Sequence, residues 1–289
     1  MSLVAVLLVS CGTTKTVPIT GRKQNLMVSD GEMLSLSTQQ YTEYMKTAKA
    51  STNATNTAMV KRVGQRLATA VETYLKNNGM AEDVQNYQWQ FNLVQDKNVN
   101  AWCMPGGLIV VYEGLLPVTQ DEPSLAIVMG HEIAHAVARH SAEQYSTQLK
   151  QQYGLQAGSV LASVLGAGSS TISAGQAIIS QGLSLQNLHY SRNHESEADH
   201  LGIIFAAMAG YDPQVAVSFW QRMAAQSSNT TSEFLSSHPS DATRIKQIQG
   251  WLPEALQYYK PQTTTSASSG KTSKTVKTTK TINISSKKK

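Results

Sequence analysis

Gly130-His131-Glu132-Ile133-Ala134-His135 is the stretch that decides how this chain reads. Residues four apart on an α-helix lie about one turn from each other, so His131 and His135 share a face and can aim imidazole nitrogens at a single ion. Glu132 flanks that face. It is badly placed to be a ligand beside the two histidines, but well placed to take a proton from a water at the same point. The preceding Leu125-Ala126-Ile127-Val128-Met129 is apolar and free of helix breakers, so the pentad is expected on a buried helix over residues 123–142.

A second cluster follows in Glu195-Ser196-Glu197-Ala198-Asp199. Glu195 and Asp199 are again four apart and share a helical face, while Glu197 projects to roughly the opposite side. Glu195 is therefore the expected third metal ligand and Glu197 is not. Asp199 suits an outer role, accepting the remaining N–H of a ligand imidazole and fixing its tautomer. A third histidine six residues after His135, as in HExxHxxGxxH, is missing: Ala138 and Ser141 stand where that pattern has Gly and His. His140, five residues past His135, is turned about 140° from the ligand face on a continuous helix, and is read as a structural or surface histidine.

The pentad with its His-Ala-Val-Ala-Arg-His continuation, and the run from Ser191 through Asp199 on to Ala209-Gly210-Tyr211-Asp212-Pro213, resemble the gluzincin peptidases that include HtpX and the CAAX prenyl endopeptidases, especially the bacterial periplasmic members BepA and LoiP. Asn100-Ala101-Trp102-Cys103-Met104-Pro105-Gly106-Gly107 is similar to the family's strand-turn segment beside the site. His238-Pro239-Ser240-Asp241 with Arg244-Ile245 is similar to its downstream His-Pro element. The resemblance covers residues 30–259 and implies a zincin-type domain holding one Zn2+ ion through His131, His135 and Glu195, with Glu132 as general base. It also implies an endopeptidase acting on misfolded or misassembled envelope proteins. In such relatives a histidine of the His-Pro element can lie over the metal, so His238 is open between a fourth ligand, an oxyanion donor and a residue that only precedes a helix begun by Pro239 and Ser240. Arg244 is open between orienting a carboxylate and being an exposed helical arginine.

Trp89-Gln90-Phe91-Asn92-Leu93-Val94 alternates with period two, and residues 100–112 read as a β-hairpin across Pro-Gly-Gly. Its edge could pair with an extended substrate backbone. Helices are expected within 30–75, at 213–226 and at 240–248. The architecture is thus α+β, mainly α-helical, with one helix bearing HExxH, a second bearing ExxxD, and a small antiparallel β-sheet. Residues 30–260 form one metallopeptidase domain, with 12–29 as a linker.

The ends carry different information. Leu3-Val4-Ala5-Val6-Leu7-Leu8-Val9-Ser10-Cys11 looks like a bacterial lipobox, so residues 1–11 are expected as a signal segment and Cys11 as a lipidated anchor in the periplasm, at the outer membrane. The apolar stretch is short and lacks a basic start, so whether the natural start lies upstream stays open. Residues 261–289 form a Ser/Thr/Lys-rich tail without acids, expected to be disordered. The net charge of +5 less that tail's seven lysines leaves about −2 for the body, so no nucleic-acid partner is implied.

With Cys11 lipidated, Cys103 has no disulfide partner and reads as a buried apolar group rather than a nucleophile. Residues 151–191 hold no charge between Gln151 and Ser191 and are broken by glycines. That segment is open between a lid, a surface meeting membrane or partner, and a loosely ordered insertion. A different class also fits: a membrane-tethered chaperone or binding module for unfolded envelope proteins, with a structural or latent zinc site.

Overall fold

A computed structural model describes residues 13–163, 184–186, 188–226, 234, 238 and 242–261. The lipobox with Cys11, all but the first residue of the tail, Ser240 and Asp241 as helix caps, and the centre of the uncharged 151–191 segment lie outside the described residues.

Helices dominate, as the α+β reading expects. Helix α1 (Asp30–Thr47) begins at a capping box in which Ser29 and Glu32 satisfy each other's backbone N–H. Helix α2 (Ala54–Asn77) starts at Asn53 and buries Val60, Val63, Leu67, Val71 and Leu75 along one stripe. Gly79, at φ 75°, ends it. These two helices replace the helical stretch expected over 30–75.

Strands β3 (Gln90–Val94), β4 (Ala101–Met104) and β5 (Leu108–Tyr112) form a sheet in the order β3-β5-β4. The expected hairpin is β4 against β5, turning through Gly106 and Gly107 at φ 89° and 78°. The sheet is not antiparallel throughout: β3 lies parallel to β5, Gln90 opposite Leu108 through Val94 opposite Tyr112. Period-two alternation identifies a strand but not the direction of its neighbour. Strand β5 is apolar at every position because it is central and covered on both faces. Ile109 and Val111 enter the core with α2 and the pentad helix, while Leu108, Val110 and Tyr112 enter a second core with Met33, Leu36, Tyr145 and Leu149. Tyr112 donates its N–H to the Asn100 carbonyl, so the pleat turns the N–H and C=O groups of Ala101 and Cys103 away from β5.

After a short helix α3 (Leu116–Thr119), Asp121 caps α4 (Glu122–Val137), which carries the pentad and is buried from Ser124 to Val137. The helix expected over 123–142 is broken. It stops at Val137, Arg139 adopts φ 55°, and α5 (His140–Ser163) restarts in a new direction. Ion pairs from Arg139 to Asp30 at 2.8 Å and to Asp83 at 2.7 Å hold the left-handed residue. Helix α6 (Arg192–Met208), capped by Ser191, carries the second cluster. Helices α7 (Val215–Gln226) and α8 (Ala242–Tyr258) close the domain.

Residues 12–29, expected as a linker, instead carry strands β1 (Thr13–Thr16) and β2 (Lys23–Leu26), paired antiparallel. The hairpin docks because Val17, Leu26 and Val28 are buried in the two cores. Among the described residues no helix is long and apolar enough to cross a membrane.

Helices α4 and α6 meet backbone to backbone. A Cβ at Gly130 would lie 2.7 Å from the Gly202 carbonyl oxygen, and one at Gly202 would lie 2.7 Å from the His131 nitrogen and 2.9 Å from its Cα. Gly202→Ala is expected to cost about 1–3 kcal/mol through this clash, read by urea unfolding. Gly250→Ala, with nothing within 4 Å of its Cβ, should hold or raise stability by up to about 1 kcal/mol. Equal stability for the two variants would show that the helices do not need this contact.

Candidate metal centre

The α4–α6 contact brings the two sequence clusters together. His131 Nε2 lies 3.1 Å from His135 Nε2 and 3.5 Å from Glu195 Oε2, and His135 Nε2 lies 3.4 Å from Glu195 Oε1. His238 completes the group from beyond α7, its Nδ1 2.9 Å from both Glu195 oxygens and 3.2 Å from His131 Nε2. All four residues are buried, and one ligand atom from each lies within 4.8 Å of the others. His238 is thus inside the site and not merely a residue before a helix.

The donor set fits a metal. Ligands at about 2.0–2.1 Å in a tetrahedron stand about 3.3 Å apart, close to the 3.1 to 3.5 Å among His131, His135 and Glu195. The tautomers agree as well. Asp199 Oδ1 lies 2.9 Å from His131 Nδ1, and a carboxylate can only accept, so in its neutral form His131 carries its proton there and has its lone pair inward on Nε2. Lone pairs crowded at about 3 Å in a buried pocket repel unless a cation stands among them.

Electrostatics point the same way. Burial alone would raise the Glu195 carboxyl, but His238, His131 and His135 around it hold it well below the usual carboxylate range. Burial alone would lower His131, but Asp199 and Glu195 carry it up to about 9. Positive charge, as a proton or a metal ion, is thus favoured where the ligand atoms converge. Burial also raises the Glu132 carboxyl, against the pull of His238 and His131. Among the described residues its buried Oε1 has no hydrogen-bond partner, and it lies 3.6 Å from His238 Nε2. A buried, basic carboxylate oxygen left unpaired beside a ligand cluster is suited to receive a proton from substrate water.

Arg244, open in the sequence between two roles, is buried. Its Nε and Nη2 grip the two Asp199 oxygens at 2.7 Å each, its guanidinium lies 3.4 Å over the Trp220 ring, and its Nη1 donates to the His238 carbonyl at 3.1 Å. Sequence reasoning missed Tyr190, stacked on His135 with ring centroids 4.1 Å apart; no spacing rule links an aromatic to a ligand across separate elements. His140 is neither at the surface nor remote, with Nδ1 2.9 Å from His135 Nδ1. Cys103 is buried and free, its thiol pushed well above its ordinary range by burial, which fits an apolar filler and not a nucleophile.

A family model described as Peptidase family M48 matches residues 54–252. The chain is 35% identical over 190 residues to the mitochondrial metalloendopeptidase OMA1 of Schizosaccharomyces pombe, a match covering 64% of this chain and 53% of that protein. It is 30% identical over 251 residues to the OMA1 metalloendopeptidase of Bos taurus, covering 83% and 46%. It is also 30% identical over 187 residues to the beta-barrel assembly-enhancing protease of Yersinia pestis, covering 62% and 37%. The chain therefore spans about half, or less, of the length of these curated relatives.

Asp199→Asn is expected to leave the fold intact and to weaken metal binding about 10–100-fold, measured by chelator competition with zinc as the probe ion. Unchanged affinity would remove Asp199 from the metal centre.

Proposed function

The chain belongs to peptidase family M48, and from that premise we propose that it is a zinc-dependent endopeptidase cutting misfolded or misassembled proteins of the bacterial envelope. The observation that carries the reading is the unpaired Glu132 Oε1 buried beside the converging His131, His135 and Glu195. A zinc ion held by those three residues would supply the Lewis acid that polarises a scissile carbonyl and makes its water more acidic. Glu132 takes a proton from the attacking water and passes it to the leaving amine nitrogen. Asp199, pinned by Arg244, keeps His131 in the ligating tautomer.

His238 favours keeping the second reading in view. A catalytic zinc site leaves one position open, whereas four protein ligands make a closed, structural one. His238 stands in that fourth corner, as a tethered chaperone with structural zinc would require. Glu132 speaks for the enzyme, since a structural site has no use for a buried unpaired base. On this reading His238 is a gate that moves aside for substrate.

The Yersinia pestis relative, named as a beta-barrel assembly-enhancing protease, supports the envelope as the place of action. The Leu-Val-Ser-Cys run supports a lipid anchor on Cys11 at the outer membrane. Unfolded envelope proteins would be its substrates.

With an unfolded model protein as substrate, Glu132→Gln should keep one zinc and lose about 10²–10⁴-fold in cleavage rate, while His238→Ala should keep zinc and cut faster than the parent. Loss of the fold in His238→Ala, with an inert parent, would decide for the structural site. In a bacterial host, Cys11→Ser should abolish incorporation of labelled palmitate and release the protein from the membrane fraction; labelling that survives would rule out the anchor.

A further inference from the structure

Each ligand histidine must have its second ring nitrogen satisfied. For His131 the partner is direct: Asp199, gripped by Arg244 from inside the segment matched by the family. For His135 the partner is a second imidazole. His135 Nδ1 faces His140 Nδ1 at 2.9 Å, and His140 Nε2 lies 2.9 Å from Glu197 Oε2. Because a carboxylate only accepts, His140 carries its proton on Nε2 and its Nδ1 must accept. His135 then donates from Nδ1 and is left with a lone pair on Nε2, the atom facing Glu195 and His131. The tautomers along this row are all determined by its far end.

That far end lies on the N-terminal hairpin. Arg22 Nε is 2.9 Å from Glu197 Oε2 and its Nη2 is 2.7 Å from the same oxygen, while Thr20 Oγ1 donates to Glu197 Oε1 at 2.6 Å. Arg22 also takes Glu143 with both terminal nitrogens at 2.7 Å. Gln24 ties Glu143 Oε2 to the Ala138 carbonyl, each at 2.6 Å. Ala138 precedes the left-handed Arg139, so the hairpin holds the break that swings His140 beneath His135.

We propose that Arg22 is a positioning residue of the metal centre, acting through Glu197 and His140 on His135 as Arg244 acts through Asp199 on His131. This rests on the metal reading above. The β1–β2 hairpin, which lies outside the 54–252 match, is therefore a working part of the site and not a linker. Thr20 aligns the same carboxylate, and the paired arginines anchor the two histidines independently.

The test uses the full chain with Arg22→Met, which removes the charge and keeps the bulk. Lys23→Met is the control, since among the described residues Lys23 bonds only Thr16, across the same hairpin. Zinc affinity by chelator competition and the visible spectrum of the Co2+-substituted protein are read at 25 °C, with near-ultraviolet circular dichroism reporting the fold. Arg22→Met should bind zinc about 10–100-fold more weakly and shift the Co2+ bands, with Lys23→Met like the parent and Arg22→Lys recovering part of the affinity. A merely structural arginine would change thermal stability and leave the Co2+ spectrum alone. If Arg22→Met does not fold, Thr20→Val, which removes one bond to Glu197, should give a smaller shift of the same kind. Affinity and spectrum equal to the parent's in whichever variant folds overturn the proposal while leaving the metal reading standing. A parent chain that binds no zinc overturns both.

Discussion

Two imidazole nitrogens and a carboxylate aimed at one point inside a protein are unstable company unless a cation joins them. His131, His135 and Glu195 are placed that way, at separations of 3.1 to 3.5 Å in a buried pocket, and much of the surrounding structure serves that arrangement. The close approach of α4 and α6 at Gly130 and Gly202 sets the distance between the two clusters. A side chain at either glycine would force the helices apart, because their backbone atoms already stand within 3 Å of where a Cβ would lie. A single-residue choice on each helix thus controls whether the ligands can share an ion.

Around this point the charges fall into two arms. Asp199 with Arg244 and Trp220 supports one histidine; Glu197 with Arg22 and Thr20 supports the other through His140. In the buried Asp199 arm, a carboxylate left without its arginine would carry an uncompensated charge, at a cost of several kcal/mol; the Glu197 arm, where Arg22 is a third exposed, costs less. Arg244 has a further task, since it also holds the His238 backbone. The residue in the fourth corner is thereby linked to the residue that fixes the first ligand.

The candidate site was legible in the sequence because its geometry is local. Spacings of four residues on α4 and α6 translate directly into a shared face, which is why His131 and His135, and Glu195 and Asp199, could be placed together while Glu197 was set on the other side. What stayed hidden depends on where distant elements meet. The sequence presents His140 on a continuous helix, and nothing in Ala-Arg-His announces that Arg139 takes a left-handed conformation held by Asp30 and Asp83. Arg22 and Glu197 are 175 residues apart, and the glycines that join α4 to α6 carry no local sign of their pairing. The sheet shows the same division: each strand was visible in its own pattern, while the parallel match of β3 to β5 is a property of topology.

The central claim is that one zinc ion lies among His131, His135 and Glu195. Anomalous X-ray scattering across the zinc absorption edge, from crystals of the protein purified without added metal, tests it most directly. The account predicts one peak per chain, about 2.0–2.2 Å from His131 Nε2, His135 Nε2 and a Glu195 oxygen. Absence of a zinc peak at that point even after zinc soaking, or a peak held by other residues, would contradict it.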